Sequence, residues 1–232
     1  MRRTFQGIYF ALAAFHLISI LVNFPLGVQY SKPLLISFLA IAYWQSCSRK
    51  LTPFDQSILV GLIFSWLGDV LLLFAGIQGK EILFLSGLGS FLLAHLFYIR
   101  AFILFPGSGK TLFPLALLII FVYLIGILSY LWPVLAGVFM IPVLLYSMVI
   151  SIMGYFAYVF YKKNPTPASK AVVWGALLFM VSDSLIALDK FMVSLEIWQV
   201  RFLIMLTYLA AQWLISSGVL KVKNQLFLKG ED

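Results

Sequence analysis

The chain has 232 residues, of which 63% are hydrophobic and only 10% charged. Soluble domains carry about 25% charged residues, so the polar surface needed to cover a water-soluble globule is missing. The net charge of +8 would suit a nucleic-acid binder, but these cations punctuate apolar runs of the length that crosses a bilayer, and no nucleic-acid partner is expected.

Cutting the chain at its charged and Pro/Gly-rich points predicts spans at 5–24, 32–48, 54–75, 81–104, 112–130, 137–161, 169–190 and 197–220. Each approaches the roughly 20 apolar residues a spanning helix needs. The fifth and sixth share one apolar stretch, divided at Trp132-Pro133 because proline disfavours a helical residue before it. The predicted fold class is all-α: one polytopic membrane domain over residues 1–232, a bundle of about eight transmembrane helices in contact with the lipid bilayer.

Arg2-Arg3-Thr4-Phe5 faintly resembles a twin-arginine signal. No small-residue cleavage site follows it, so it reads as the cytoplasmic anchor of helix 1. His16, on that helix, has no polar companion in the sequence and reads as structural. Cys47 is the single cysteine and reads as a small buried hydrophobe. Gly61, Ser65 and Gly68 on helix 3, and Leu85-Ser86-Gly87-Leu88-Gly89-Ser90 on helix 4, are small residues that let membrane helices approach closely. Gly107-Ser108-Gly109-Lys110-Thr111 lacks both the first glycine and the preceding strand of a phosphate-binding loop, and reads as a short connection.

With eight spans, twelve of the sixteen Lys and Arg residues fall on the side of the termini. The other side carries only Lys32, Lys80, Lys190 and Arg201. By the positive-inside rule both termini are cytoplasmic, and a cell membrane, the bacterial inner membrane, is the expected location.

Six of the eight carboxylates lie at helix ends or in the tail. Asp69 and Asp183 lie inside helices 3 and 7, where a carboxylate costs several kcal/mol unless neutralised or partnered. They are 114 residues apart in similar contexts, Gly68-Asp69-Val70-Leu71 and Ser182-Asp183-Ser184-Leu185. Counted from Asp55 and Lys170, both lie about 20 Å from the inner surface at 1.5 Å rise per residue. The following helices carry His95 and Tyr98, and Tyr208 and Gln212; Tyr98 and Gln212 each come 29 residues after their Asp. This spacing suggests a weak parallel 4+4 repeat about an axis along the membrane normal, bringing the two carboxylates to one cavity. A purely structural role, each Asp bonding polar groups on a neighbouring helix, is the plainer alternative. Two histidines far apart, one cysteine and two buried aspartates make a poor zinc set, so no metal is expected. A Ser-His-Asp hydrolase has no nucleophile-elbow pattern to support it.

Several ordered blocks resemble those of the YhhN-like membrane family, whose characterised members are lysoplasmalogenases. They are Ser31-Lys32-Pro33-Leu34 opening helix 2, Gly68-Asp69-Val70-Leu71-Leu72, Phe84 to Phe91 running on to His95 and Tyr98, Gly175 to Ser184, and Thr207-Tyr208-Leu209-Ala210-Ala211-Gln212. The blocks cover roughly residues 30 to 215. The resemblance implies an eight-helix hydrolase that needs no cofactor. Its lysophospholipid substrate would be cleaved at the vinyl ether to a fatty aldehyde and a glycerophospho-headgroup.

A vinyl ether is stable to base and labile to acid, so the site needs an acid, an anion to stabilise the oxocarbenium ion, and a positioned water. Two aspartates in one apolar cavity supply these when one keeps its proton and the other ionises. Asp69 and Asp183 are the expected catalytic pair. Tyr98, Tyr208, Gln212, Ser182 and His95 are expected to orient water or the ether oxygen, and Lys32, at the outer mouth, to meet the substrate phosphate. Asp189-Lys190 is given no role. A proton-coupled carrier of a small amphiphile is the competing class, and a lipid-binding scaffold is a third.

Overall fold

The computed structural model describes residues 3–47, 50–106, 114–135, 137–191 and 198–229. Among them it holds eight α-helices and no strand: α1 (Arg3–Leu21), α2 (Pro25–Trp44), α3 (Pro53–Gln78), α4 (Glu81–Leu104), α5 (Pro114–Leu131), α6 (Met140–Lys163), α7 (Pro167–Phe191) and α8 (Trp198–Lys229). Six of them, α1, α3, α4, α6, α7 and α8, are long and apolar enough to cross a membrane. α2 is less apolar because Gln29, Ser31 and Lys32 interrupt its first half. Large apolar side chains are exposed all round the bundle, Phe10, Ile63, Phe121, Ile141 and Trp174 among them. A face of that extent is matched by acyl chains and not by water. The 107–111 segment lies outside the described residues.

Local sequence sets the helix limits. Thr52 and Asp55 form a reciprocal capping box at the start of α3, with Pro53 in its first turn. Gly79 ends α3 at φ 64°, the left-handed conformation in which glycine carries no Cβ penalty. Trp132-Pro133 lies in the turn after α5, and a short 3₁₀ segment, Gly137–Phe139, leads into α6.

Two predicted limits are corrected. α2 starts at Pro25, seven residues earlier than expected, because proline is well placed in a helix's first turn. Lys32-Pro33 is therefore inside the helix and does not open it. α8 runs on past residue 220 to Lys229. Gly218 does not break it, because its bare Cα sits against α7: an added Cβ would lie 2.8 Å from the Ala168 carbonyl.

Each helix packs on its chain neighbour within the first four and within the last four, and the α3–α4 and α7–α8 pairs are the most extensive. Small residues make those approaches possible. A Cβ on Gly61 would meet the Tyr98 ring at 2.7 Å, and one on Gly175 would meet Ile215 at 2.8 Å. These two glycines are themselves 114 residues apart. The halves meet through α4 on α6 and α8 on α2, contacts that an axis along the membrane normal would exchange. α1 also packs on α8.

At the end holding the α3 N-terminus, Asp55 is fully buried, not solvated as its terminal position suggested. Its Oδ2 accepts from Lys223 Nζ at 2.5 Å and its Oδ1 from the Tyr43 hydroxyl at 3.3 Å. The extension of α8 is what carries Lys223 to it. At the opposite end lie Lys32, Lys80, Lys190 and Arg201.

Candidate active site

Asp69 stands on α3 and is 3% exposed. One residue back is Gly68, where a Cβ would lie 2.6 Å from the Phe91 ring of α4. That close approach pins the α3–α4 interface at the level of the carboxylate. The Tyr208 hydroxyl, from α8, donates to Asp69 Oδ2 at 2.7 Å. Lys32 Nζ lies 3.9 Å from Oδ1. Lys32 sits about two helical turns inside α2 and faces this carboxylate.

Asp183 stands on α7, its side chain 7% exposed. The Tyr146 hydroxyl, from α6, donates a short hydrogen bond to Asp183 Oδ2. His95 Nε2 lies 3.7 Å from the same oxygen, too far for a hydrogen bond but close enough to feel its charge. The next residue, Ser184, is bonded to the Tyr123 hydroxyl of α5. An aromatic relay joins the partners of Asp69 and Asp183: Phe179 is 5.4 Å from the Tyr208 ring and 4.7 Å from His95, and Phe91 is 5.8 Å from Tyr208.

The other expected residues have different work. The Tyr98 hydroxyl donates to Gln212 Oε1 at 2.7 Å, so this pair ties α4 to α8 and neither member bonds a carboxylate in this geometry. Ser182 donates to the Ile204 carbonyl at 3.1 Å, a strut between α7 and α8. Among the described residues no cluster of three or more metal-ligating side chains forms.

Two cavities adjoin this cluster. A vestibule of about 520 Å³ is walled by α1, α2 and α3 on one side and α7 and α8 on the other. All four outer cations line it, with His16 and Asp189. The second cavity is a narrow, largely apolar cleft between α3, α4, α5, α6 and α7 that contains Asp183, Tyr146 and Tyr123. Leu72, Phe84 and Ile186 belong to both, so the two spaces share a wall. The arrangement offers cations and water-facing volume on one side and apolar length on the other, with Asp183 in the apolar cleft and Asp69 one helical turn from the shared Leu72.

Sequence reasoning missed Tyr146, Tyr123, His16, Arg201 and Asp189. A signal for Tyr146 was present: it lies 114 residues after Lys32, the same offset that relates the two aspartates. Tyr123 had none, because a tyrosine in an apolar helix is unremarkable in a sequence with eleven.

Comparison with known proteins places this geometry in context. The family model described as the YhhN family matches residues 29–219. Lysoplasmalogenase TMEM86A of Bos taurus is 36% identical over 175 residues, 74% of this chain and 68% of that protein. Its Homo sapiens counterpart is 35% identical over the same coverage. Lysoplasmalogenase TMEM86B of Homo sapiens is 30% identical over 72% of this chain and 65% of that protein. No solved structure matches the chain.

Proposed function

This chain belongs to the YhhN family, and from that premise we propose that it is a membrane-embedded hydrolase cleaving the vinyl ether bond of lysoplasmalogen. The products are a fatty aldehyde and a glycerophosphoethanolamine or glycerophosphocholine. The observation that carries the reading is the junction itself. A cation-lined vestibule suits a phospho-headgroup and an apolar cleft suits an alkenyl chain; Asp183 lines the cleft, and Asp69 is bonded into the bundle one helical turn before Leu72, a residue of the shared wall.

Surroundings divide the labour between the carboxylates. Asp69, beside Lys32, is the ionised partner. Asp183, in the apolar cleft with a neutral phenol on it, is the acid. Its proton goes to the outer alkene carbon, and the ether carbon becomes an oxocarbenium ion that the Asp69 carboxylate stabilises. Water adds to that carbon and returns a proton to the dyad. The hemiacetal then collapses, breaking the carbon–oxygen bond to glycerol and leaving the aldehyde.

The test is aldehyde release from lysoplasmenylethanolamine by detergent-purified protein. Wild type should release it. Asp69→Asn and Asp183→Asn should each lose about 10²–10⁴-fold, the usual worth of a positioned acid or base, while remaining monodisperse. A folded wild type that releases no aldehyde sinks the hydrolase reading; flux of the lipid into sealed vesicles without new products would then favour a carrier.

A further inference from the structure

Asp189 has no role on sequence grounds, yet it is the one carboxylate among the described residues that line the vestibule. It is half-buried, and the three ion pairs of the described residues do not include it. It stands three residues after Ile186, so the two share a face of α7. Ile186 belongs to the wall between vestibule and cleft. Opposite, α8 brings Trp198, Arg201, Ile204 and Met205 to the same space.

The four vestibule cations are not equivalent. Lys32 is beside Asp69. Lys190 Nζ lies 5.0 Å over the Phe84 ring and 5.8 Å over the Phe139 ring. Lys80 and Arg201 are then the cations that would meet a phosphate. A carboxylate in the same compartment opposes an anionic ligand unless that ligand also brings a cation to it.

Length supports the match. Asp189 lies six residues beyond Asp183 on one helix, about 9 Å along its axis at 1.5 Å per residue. In an ethanolamine lysolipid about nine bonds separate the ether oxygen from the ammonium nitrogen, about 11 Å when extended at roughly 1.2 Å per bond and less when folded. A lipid whose vinyl ether stands at Asp183 therefore carries its ammonium to the level of Asp189. Ethanolamine presents N–H donors there, and a carboxylate is their best acceptor. Choline presents methyl groups, which donate no N–H bond and hold the charge farther off.

We propose that Asp189 is the residue that reads the headgroup, accepting a hydrogen bond from the ethanolamine ammonium and so favouring ethanolamine over choline lipids. This deepens the hydrolase reading and rests on it.

The experiment compares kcat/KM for lysoplasmenylethanolamine and lysoplasmenylcholine with the same alkenyl chain. Wild type should prefer the ethanolamine lipid by about tenfold, the lower end of what a hydrogen bond to a charged group is worth. In Asp189→Ala the preference should collapse to about one, while Asp189→Asn, whose amide oxygen still accepts, should keep part of it. A ratio of two lipids on one preparation is insensitive to how much of a variant folds. A preference that survives intact in Asp189→Ala overturns the assignment, even if both lipids are weakened alike, because Asp189 would then only steady the vestibule wall. A wild type that turns over both lipids equally overturns it too. So does a preference for choline, which would give the ammonium to the exposed Trp198 ring. In each of these cases aldehyde is still released and the hydrolase reading stands. Failure of the wild type to release aldehyde from either lipid is a different result: it removes the hydrolase reading, and this assignment falls with it.

Discussion

Tyr146 is bonded to Asp183 across 37 residues of chain, and the same separation sets Lys32 against Asp69. Each carboxylate accepts from a phenol, Tyr208 on Asp69 and Tyr146 on Asp183, and Asp69 has the Lys32 ammonium in addition. On the proposed mechanism, that added cation is what lets Asp69 ionise while Asp183 holds a proton. Lys32→Met should therefore be the more damaging change, lowering kcat/KM by about 10²-fold as the anion loses its counter-charge. Tyr146→Phe should cost about tenfold, the worth of one hydrogen bond. Aldehyde-release kinetics on the two variants decide it; the opposite order would reverse the roles assigned to the two carboxylates.

Arg201 and Lys80 line the vestibule and have no place in the proton transfers. Arg201→Gln and Lys80→Gln should each raise KM for a lysoplasmalogen by about 3- to 10-fold with kcat held, the signature of binding that is equal in ground and transition states. Added salt should weaken substrate binding to the wild type more than to either variant. A loss confined to kcat would remove these cations from the headgroup site.

The Asp55–Lys223 pair is a matter of stability. Lys223→Met leaves a carboxylate buried among Tyr43, Thr52 and Cys47 without its cation. Breaking a buried pair from one side costs about 3–5 kcal/mol. Thermal unfolding in detergent should show a large drop for Lys223→Met and a smaller one for Asp55→Asn with Lys223→Met together. Equal drops would mean that the carboxylate is satisfied without the lysine.

By the positive-inside rule, the cation distribution predicts that both termini are cytoplasmic. The native Cys47 thiol is a weak background signal, because burial, helped by the charge of Asp55, pushes it up to about 12 and keeps it protonated. An impermeant maleimide added to intact cells should label Gln78→Cys, at the outer end of α3, and spare Asn224→Cys, on the last turns of α8. Both positions are exposed in the fold. Labelling in the reverse pattern would invert the topology.

Much of the architecture was legible because a membrane helix is written in one variable, the length of an apolar run. The division at Trp132-Pro133 was readable for the same reason, since proline acts locally. The start of α2 was not, because Gln29, Ser31 and Lys32 look like a polar loop until the cavity that Gln29 and Lys32 line is known. The two aspartates stood out through their cost in lipid. Their partners did not: a tyrosine is ordinary inside a membrane helix, and only its distance from a carboxylate makes it notable. The companion of His16 was hidden for a related reason, as Ser31 is 15 residues away and on another helix.

The wall that the vestibule and the cleft have in common has one more consequence. Leu72, Phe84 and Ile186 mark a frontier between a wet compartment and an oily one. A bond cut at that frontier yields two fragments of opposite solubility, each already on the side it prefers. The glycerophospho-alcohol has only to diffuse into water and the aldehyde into lipid. On the proposed mechanism, re-encounter of the two is then opposed by partition.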